Sequence, residues 1–315
     1  MGPVSDPIRP ARRSRLARSA AALAALLGLA SYVAFHQVTG SRGTPRCSVG
    51  SGDNRYTFTP DQASNAATIA AVGTGRGLPE RAVTIALATA LQESALRNIE
   101  HGDRDSLGLF QQRPSMGWGT PAQVLDPVYA SERFYAGLEK VPGYSRLPLT
   151  VAAQKVQKSG FPQAYAKHEP DAALLAAALT GRSPAALSCT TGDPDGVPGD
   201  PERVRAELVR AFGKGAAPEA VTGGPGAGRS AAGPPVLLVP VRAARGAGAA
   251  PGAGEDERRG WELAQWAVAR AETLRITEVT FGDRSWRAGE ARGGWSKVSG
   301  ALATDGESVR VRLAP

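Results

Sequence analysis

The residues best suited to chemistry lie between Ala90 and Pro114, in the run ALQESALRNIEHGDRDSLGLFQQRP. Glu93 stands near the end of a mostly apolar, small-residue segment. Apolar surroundings penalise the charged form of a carboxyl, so such a group holds its proton at neutral pH. A carboxyl of that kind can act as the general acid when a glycosidic bond is broken. By helical spacing Glu93 shares a face with Ala86, Thr89, Ala90 and Arg97. The apolar members raise its pKa, and Arg97 lowers it if it points inward. A surface carboxylate paired to Arg97 is the plainer reading of the same spacing.

A Gly- and Gln-rich turn follows, Ser106-Leu107-Gly108-Leu109-Phe110-Gln111-Gln112. Gly108 would let backbone approach a sugar with no side chain between. The amides of Gln111 and Gln112 both donate and accept, which suits hydroxyl and acetamido groups. Tyr165 would stack on a sugar ring, hydrogen-bond near the acid, or simply fill a helix end. Trp118 and Tyr129 are candidate cleft walls. A two-carboxylate glycosidase needs a partner for Glu93. Asp126 reads as a helix cap, and Asp103 and Asp105 sit in a polar loop.

The elements that must hold these residues are helical. Thr59-Pro60-Asp61-Gln62 is a capping box with Pro at the first helical position, opening a helix to about Val72. Pro79 opens a second, Glu80 to about Arg97, with Glu93 in its last turns. Thr120-Pro121-Ala122-Gln123 repeats the box, and Asp126-Pro127 starts a helix to about Lys140. Thr150 caps a short helix ending at Ser159-Gly160, Phe161-Pro162 opens the next through Tyr165, and Asp171 caps one to about Thr180. With no strand pattern over 56–189, an all-α domain is expected there.

Three stretches of this region, Glu93-Ser94, Ser106-x-Gly108-Leu109-x-Gln111 and Ala164-Tyr165, resemble the signature motifs of the lysozyme-like soluble lytic transglycosylase superfamily. Phe110 replaces the family's usual Met, and Ala166 its usual Asn. The resemblance covers residues 60–180. It implies a lysozyme-like fold, Glu93 as catalytic acid and base, and Ser94, Ser106, Gly108, Gln111 and Tyr165 as residues that bind peptidoglycan glycan strands; Gln112 and Trp118 are expected beside them on the substrate side. It also implies that one Glu suffices: the acid protonates the leaving oxygen, then takes a proton from the muramic C6 hydroxyl, giving a 1,6-anhydro sugar. A muramidase-type hydrolase and a non-catalytic peptidoglycan-binding or partner-recruiting protein are the alternatives.

The totals give the chain an address. It has 315 residues and a net charge of +8, from 37 basic and 29 acidic side chains. No zinc-finger or RNP-type motif accompanies the basic excess, so nucleic acid is not an expected partner. Arg9, Arg12, Arg13, Arg15 and Arg18 form a cytoplasmic basic segment (1–18) before an uncharged apolar run, 19–38, long enough to span a bilayer. This predicts a single-pass anchor with the bulk of the chain outside the cell membrane; a cleaved signal peptide leading to secretion is the alternative. Cys47 and Cys189, the only cysteines, are then expected to form a disulfide.

Residues 39–55 read as a stalk, the helical domain runs over 56–212, and 213–233 is a Gly/Pro/Ala linker. Residues 234–315 read as a small α+β accessory domain, with strands near 235–241, 276–281 and 309–313 and a helix from Trp261 to Leu274. Gly282-Asp283-Arg284-Ser285-Trp286 and Gly294-Trp295 are similar to the end of a carboxypeptidase-like domain of actinobacterial cell-wall hydrolases. That family's His-x-His strand is replaced here by Val309-Arg310-Val311-Arg312. The chain's three His are His36, His101 and His168, so zinc has no imidazole ligand in this portion, and no metal or cofactor is expected. Trp266, Trp286 and Trp295 read as core.

Overall fold

Helix α1 (Pro60–Gly75) begins where its capping box places it: the Thr59 side chain accepts from Gln62 N, and the Gln62 side chain accepts from Thr59 N at 2.8 Å. The computed structural model describes Ser31 and residues 44–158, 162–192, 196–216, 219–221, 233–242, 254–290 and 294–315. The expected membrane anchor, 19–38, and the basic segment before it lie outside these residues, Ser31 apart. Among the described residues no helix is long and apolar enough to cross a membrane.

Helix α2 (Glu80–Ser94) is the centre of the helical half. Every residue from Ala82 to Leu91 is buried, so this helix has no solvent face. Around it pack α1, α4 (Pro127–Leu138), α5 (Leu149–Gln157), α6 (Glu169–Leu179) and a 3-10 segment, Pro162–His168. The short α3 (Pro121–Val124) carries the second capping box with both of its hydrogen bonds. Helix α2 stops at Ser94, not near Arg97. Ala95 and Leu96 turn left-handed, with φ of 52° and 59°. Side chains from α1 take their carbonyls: Gln62 Nε2 donates to Ala95 O at 2.7 Å and Asn65 Nδ2 to Leu96 O at 2.8 Å. Arg97 therefore lies off the helix, exposed.

The expectation of an all-α lysozyme-like domain is overturned: the fold is mixed α/β with two antiparallel sheets. Strands β1 (Arg46–Ser51), β2 (Asn54–Phe58) and β3 (Leu187–Thr190) form a three-stranded sheet in the order β2-β1-β3. Residues 46–51, read as stalk, thus become the central strand. They escape local reading because the strands are short, and β1 gains its second partner from 142 residues away, at the level of Cys47 and Cys189. These two cysteines face each other in the register and are bonded, as expected.

Beyond helix α7 (Pro201–Phe212) comes a six-stranded sheet, ordered β4-β5-β9-β6-β7-β8, from Glu219–Val221, Val236–Pro240, Ser308–Leu313, Ile276–Phe281, Arg284–Arg287 and Trp295–Lys297. Strand β4 lies in the stretch read as linker. Helix α8 (Glu255–Ala269), followed by the short α9 (Ala271–Leu274), packs on β6 and β9, and also on α1, α6 and β3. Its residues Arg259–Ala269 are buried without a break, as a helix enclosed on both sides must be. Residues 44–315 accordingly form one compact unit.

One buried amide joins the halves. Gln265, fully buried on α8, donates to Ala178 O at 2.8 Å and Ser183 O at 3.0 Å, and accepts from Ala186 N at 2.9 Å and Leu187 N at 2.8 Å. Trp295 Nε1 donates to Leu187 O and Trp286 Nε1 to Cys189 O. Between them these side chains satisfy the edge of β3 that faces away from β1. Gly181 permits the approach, because a Cβ there would meet Arg258 O at 1.8 Å.

Replacing Gln265 by Leu takes the partner from Ser183 O, Ala186 N and Leu187 N, while Ala178 O keeps the Gly181 N–H, and is expected to cost about 4 kcal/mol, at 1–3 kcal/mol per orphaned group with partial relaxation. Urea unfolding of the full chain measures it. A loss below about 1 kcal/mol would mean that water or another side chain reaches these groups.

Candidate active site

Glu93, with Gln92 before it, stands where α2 meets partial solvent after its buried run. The face behind it is sealed: Ala86, Thr89 and Ala90 are fully buried, while Glu93 itself is half-buried. Tyr165, wholly buried in the 3-10 segment, donates its hydroxyl to Glu93 Oε1 at 2.6 Å. His168 Nε2, one turn on, lies 3.2 Å from Gln92 Oε1, a second tether between that segment and α2. Gln157, at the end of α5, donates its amide to Phe110 O at 2.7 Å and lies close enough to the Glu93 carboxylate to favour its ionised form.

Burial pushes the Glu93 carboxyl above the ordinary carboxylate range, and the Tyr165 hydrogen bond and then the nearby Gln157 amide oppose that rise by favouring the ionised form. Arg97 takes no part: its Nε donates to Ser94 O at 3.3 Å.

The turn from Ser106 to Gln112 is fastened to the same helix end. Ser94 Oγ donates to Leu109 O at 2.8 Å, and Leu107 and Gln112 exchange main-chain hydrogen bonds. Several residues expected on the sugar side are in fact supports. Ser94, Ser106 and Gln112 are buried, and Gln112 Nε2 donates to Ala130 O at 3.1 Å. Gly108 has φ of 75°, and a Cβ there would sit 2.5 Å from Val124 O, so its missing side chain serves close backbone packing within the fold. Phe110 is fully buried and stacks on Phe134 at 4.7 Å, so a bulkier residue in place of Met is absorbed by the core. Tyr129 lies under the Gly119 backbone. Ala166 is exposed.

Gln111, Gln112, Trp118 and Gln157 line a cleft of about 390 Å³, with Met116, 65% exposed, at its lip. Gln157 links this cleft to Glu93. It was not singled out from the sequence, yet a signal exists: it follows Leu149 and Ala153 at helical spacing, a polar residue on an apolar stripe.

The other acids are engaged elsewhere. Asp105 accepts from Arg113 Nε at 2.8 Å and Ser115 N at 2.7 Å, which hold its pKa far below the usual range. Asp126 caps α4 through Val128 N and Tyr129 N, and pairs with Arg210. The Asp103 side chain is 93% exposed. Among the described residues no group of three or more His, Cys, Asp and Glu is placed to hold a metal ion. No protein-family model matches the chain, and no curated protein matches it significantly.

A carboxyl whose pKa is raised by folding contributes stability in its protonated form, and that contribution is lost as pH rises through the raised value. Glu93→Gln removes the titration. The stability of the variant relative to the native chain is therefore expected to increase from about pH 4 to about pH 8. Denaturant unfolding at several pH values checks it; a difference independent of pH would mean that Glu93 titrates alike in the folded and unfolded chains.

Proposed function

We propose that the protein is a peptidoglycan lytic transglycosylase that cleaves the bond between N-acetylmuramic acid and N-acetylglucosamine through Glu93 alone. One observation carries this reading: the three stretches that resemble the transglycosylase motifs, far apart in the chain, meet through hydrogen bonds. Glu93 receives Tyr165, and Ser94 donates to Leu109 O. The raised pKa of Glu93 supports its role as acid. The commitments of Asp105 and Asp126 favour a one-carboxylate reaction over hydrolysis by a carboxylate pair.

In this mechanism a muramic residue lies in the cleft with its glycosidic oxygen at Glu93. Protonation by Glu93 releases the leaving sugar as the oxocarbenium-like centre develops at C1. Glu93, now ionised and held by Tyr165 and Gln157, takes the proton of the C6 hydroxyl, whose oxygen closes on C1. The acid is regenerated and no water is consumed. The hydrogen bonds that stabilise the carboxylate matter most in this second half, when Glu93 must act as base.

Glu93→Gln is expected to reduce muropeptide release from purified sacculi by at least about a hundredfold, with binding kept. Equal release by variant and native chain would refute catalysis by Glu93 and leave a binding protein. Product mass decides the bond chemistry, because an anhydro end is lighter by one water than a reducing end. Tyr165→Phe deletes a hydrogen bond to the carboxylate, which raises the Glu93 pKa further. The alkaline limb of the pH–rate profile is then expected at higher pH than in the native enzyme, with a lower maximal rate. A limb that stays or moves down would break the link between Tyr165 and the acid.

A further inference from the structure

The cleft that Gln157 lines, next to Glu93 but without it, has a one-sided charge. Arg113, Arg133, Lys140 and Lys158 line it, and among the described residues no Asp or Glu does. Arg113 is neutralised by Asp105. Arg133, Lys140 and Lys158 are exposed and form no ion pair with a described carboxylate within 4.0 Å. Glu132 and Glu139, the chain neighbours of Arg133 and Lys140, do not line the cleft, and Glu139 is bound to Arg76 at 2.5 Å.

The three cations come from different elements but reach one rim. Arg133 projects from the middle of α4 and donates Nη2 to Gly117 O at 3.2 Å, beside Trp118. Lys140 follows the end of α4. Lys158 is the left-handed residue that ends α5, next to Gln157. Fixed positive charge of this kind attracts an anionic ligand and gives a neutral isostere no advantage. The floor beneath offers amides and an indole, groups that suit a sugar better than a bare polyanion.

We propose that this rim selects carboxylate-bearing glycan, with Arg133, Lys140 and Lys158 binding acid groups carried on the sugar strand. The proposal names the substrate class of the same site and rests on the glycan reading above. The lactyl group of muramic acid, or an acidic peptide joined to it, presents such a carboxylate, whereas a strand of N-acetylglucosamine alone presents none.

The test uses the full chain with Glu93→Gln, so that a bound glycan persists. Two probes are compared: an alternating oligosaccharide of N-acetylglucosamine and N-acetylmuramic acid with free lactyl carboxylates, and the same oligosaccharide with those groups converted to primary amides. The acid form is expected to bind about tenfold more tightly at low salt, from about two- to threefold per exposed pair, and the gap narrows as salt rises. Joint replacement of Arg133, Lys140 and Lys158 by Ser closes the gap, while Lys214→Ser, outside the cleft, keeps it. A second arm compares peptide-bearing with peptide-free strands and separates the two sources of the carboxylate.

Equal affinity for the acid and amide probes overturns the proposal, as does a gap that survives the triple substitution or a failure of both probes to bind. Displacement of the acid probe by inorganic polyphosphate at equal charge, as effective as by unlabelled oligosaccharide, also overturns it and marks a general polyanion site. If the native chain cleaves neither probe, yet the gap is present and the triple variant closes it, carboxylate selection stands and the catalytic reading falls.

Discussion

A helix without a solvent face dictates this architecture. From Ala82 to Leu91 helix α2 offers only buried side chains, so its neighbours must close around it on every side. The first acid that this helix presents after that stretch is Glu93, and it emerges among the elements that do the enclosing. The 3-10 segment supplies Tyr165, α5 supplies Gln157, and the turn after α2 is held by Ser94. Site and core are thus one structure. The packing that encloses α2 desolvates the carboxyl, and it delivers the Tyr165 hydroxyl and the Gln157 amide that moderate the desolvation.

Helix α8 repeats the constraint on a larger scale. Buried without a break from Arg259 to Ala269, it needs apolar cover on both sides and finds it between the six-stranded sheet and the helical layer. The contact is specific because β3 has an edge that β1 does not use. Gln265, Trp286 and Trp295 supply the missing hydrogen bonds from the C-terminal portion. At its other edge β3 faces β1, where Cys47 and Cys189 are bonded. Glu80, in the first turn of α2, binds Arg182 and lies 3.5 Å from Arg258 on α8. The C-terminal portion therefore buttresses the helix that carries Glu93, and Trp286 and Trp295 serve this joint.

Much of the helical frame is legible because its signals are local. The boxes at Thr59 and Thr120 and the cap at Asp126 each close within three residues, and chain chemistry alone specifies them. Strands β6 and β9 announce themselves by β-branched residues. The end of α2 is different. Nothing in Ser94-Ala95-Leu96-Arg97 resembles a helix stop; the stop comes from Gln62 and Asn65 on α1, which bind the carbonyls of the left-handed turn. That is why Arg97 reads as a partner of Glu93 and is not one. The small sheet was invisible for the same reason, since its central strand is completed by residues at the far end of the helical region.

The sequence by itself determined the Glu93 carboxyl and its apolar setting, because these depend on residue type and short-range spacing, and it determined the cysteine pair, because the chain has two cysteines and no others. Only the tertiary structure decided which of the motif residues act as supports and which line a cleft. Gly108 proved to be a packing glycine, Ser94 a staple, and Tyr165 a donor to the acid. Gln157, Arg133, Lys140 and Lys158 became neighbours only when α4 and α5 packed side by side. Charge and hydrogen-bonding capacity are written in residue type, but what each group faces is set by long-range packing, and no local pattern encodes it.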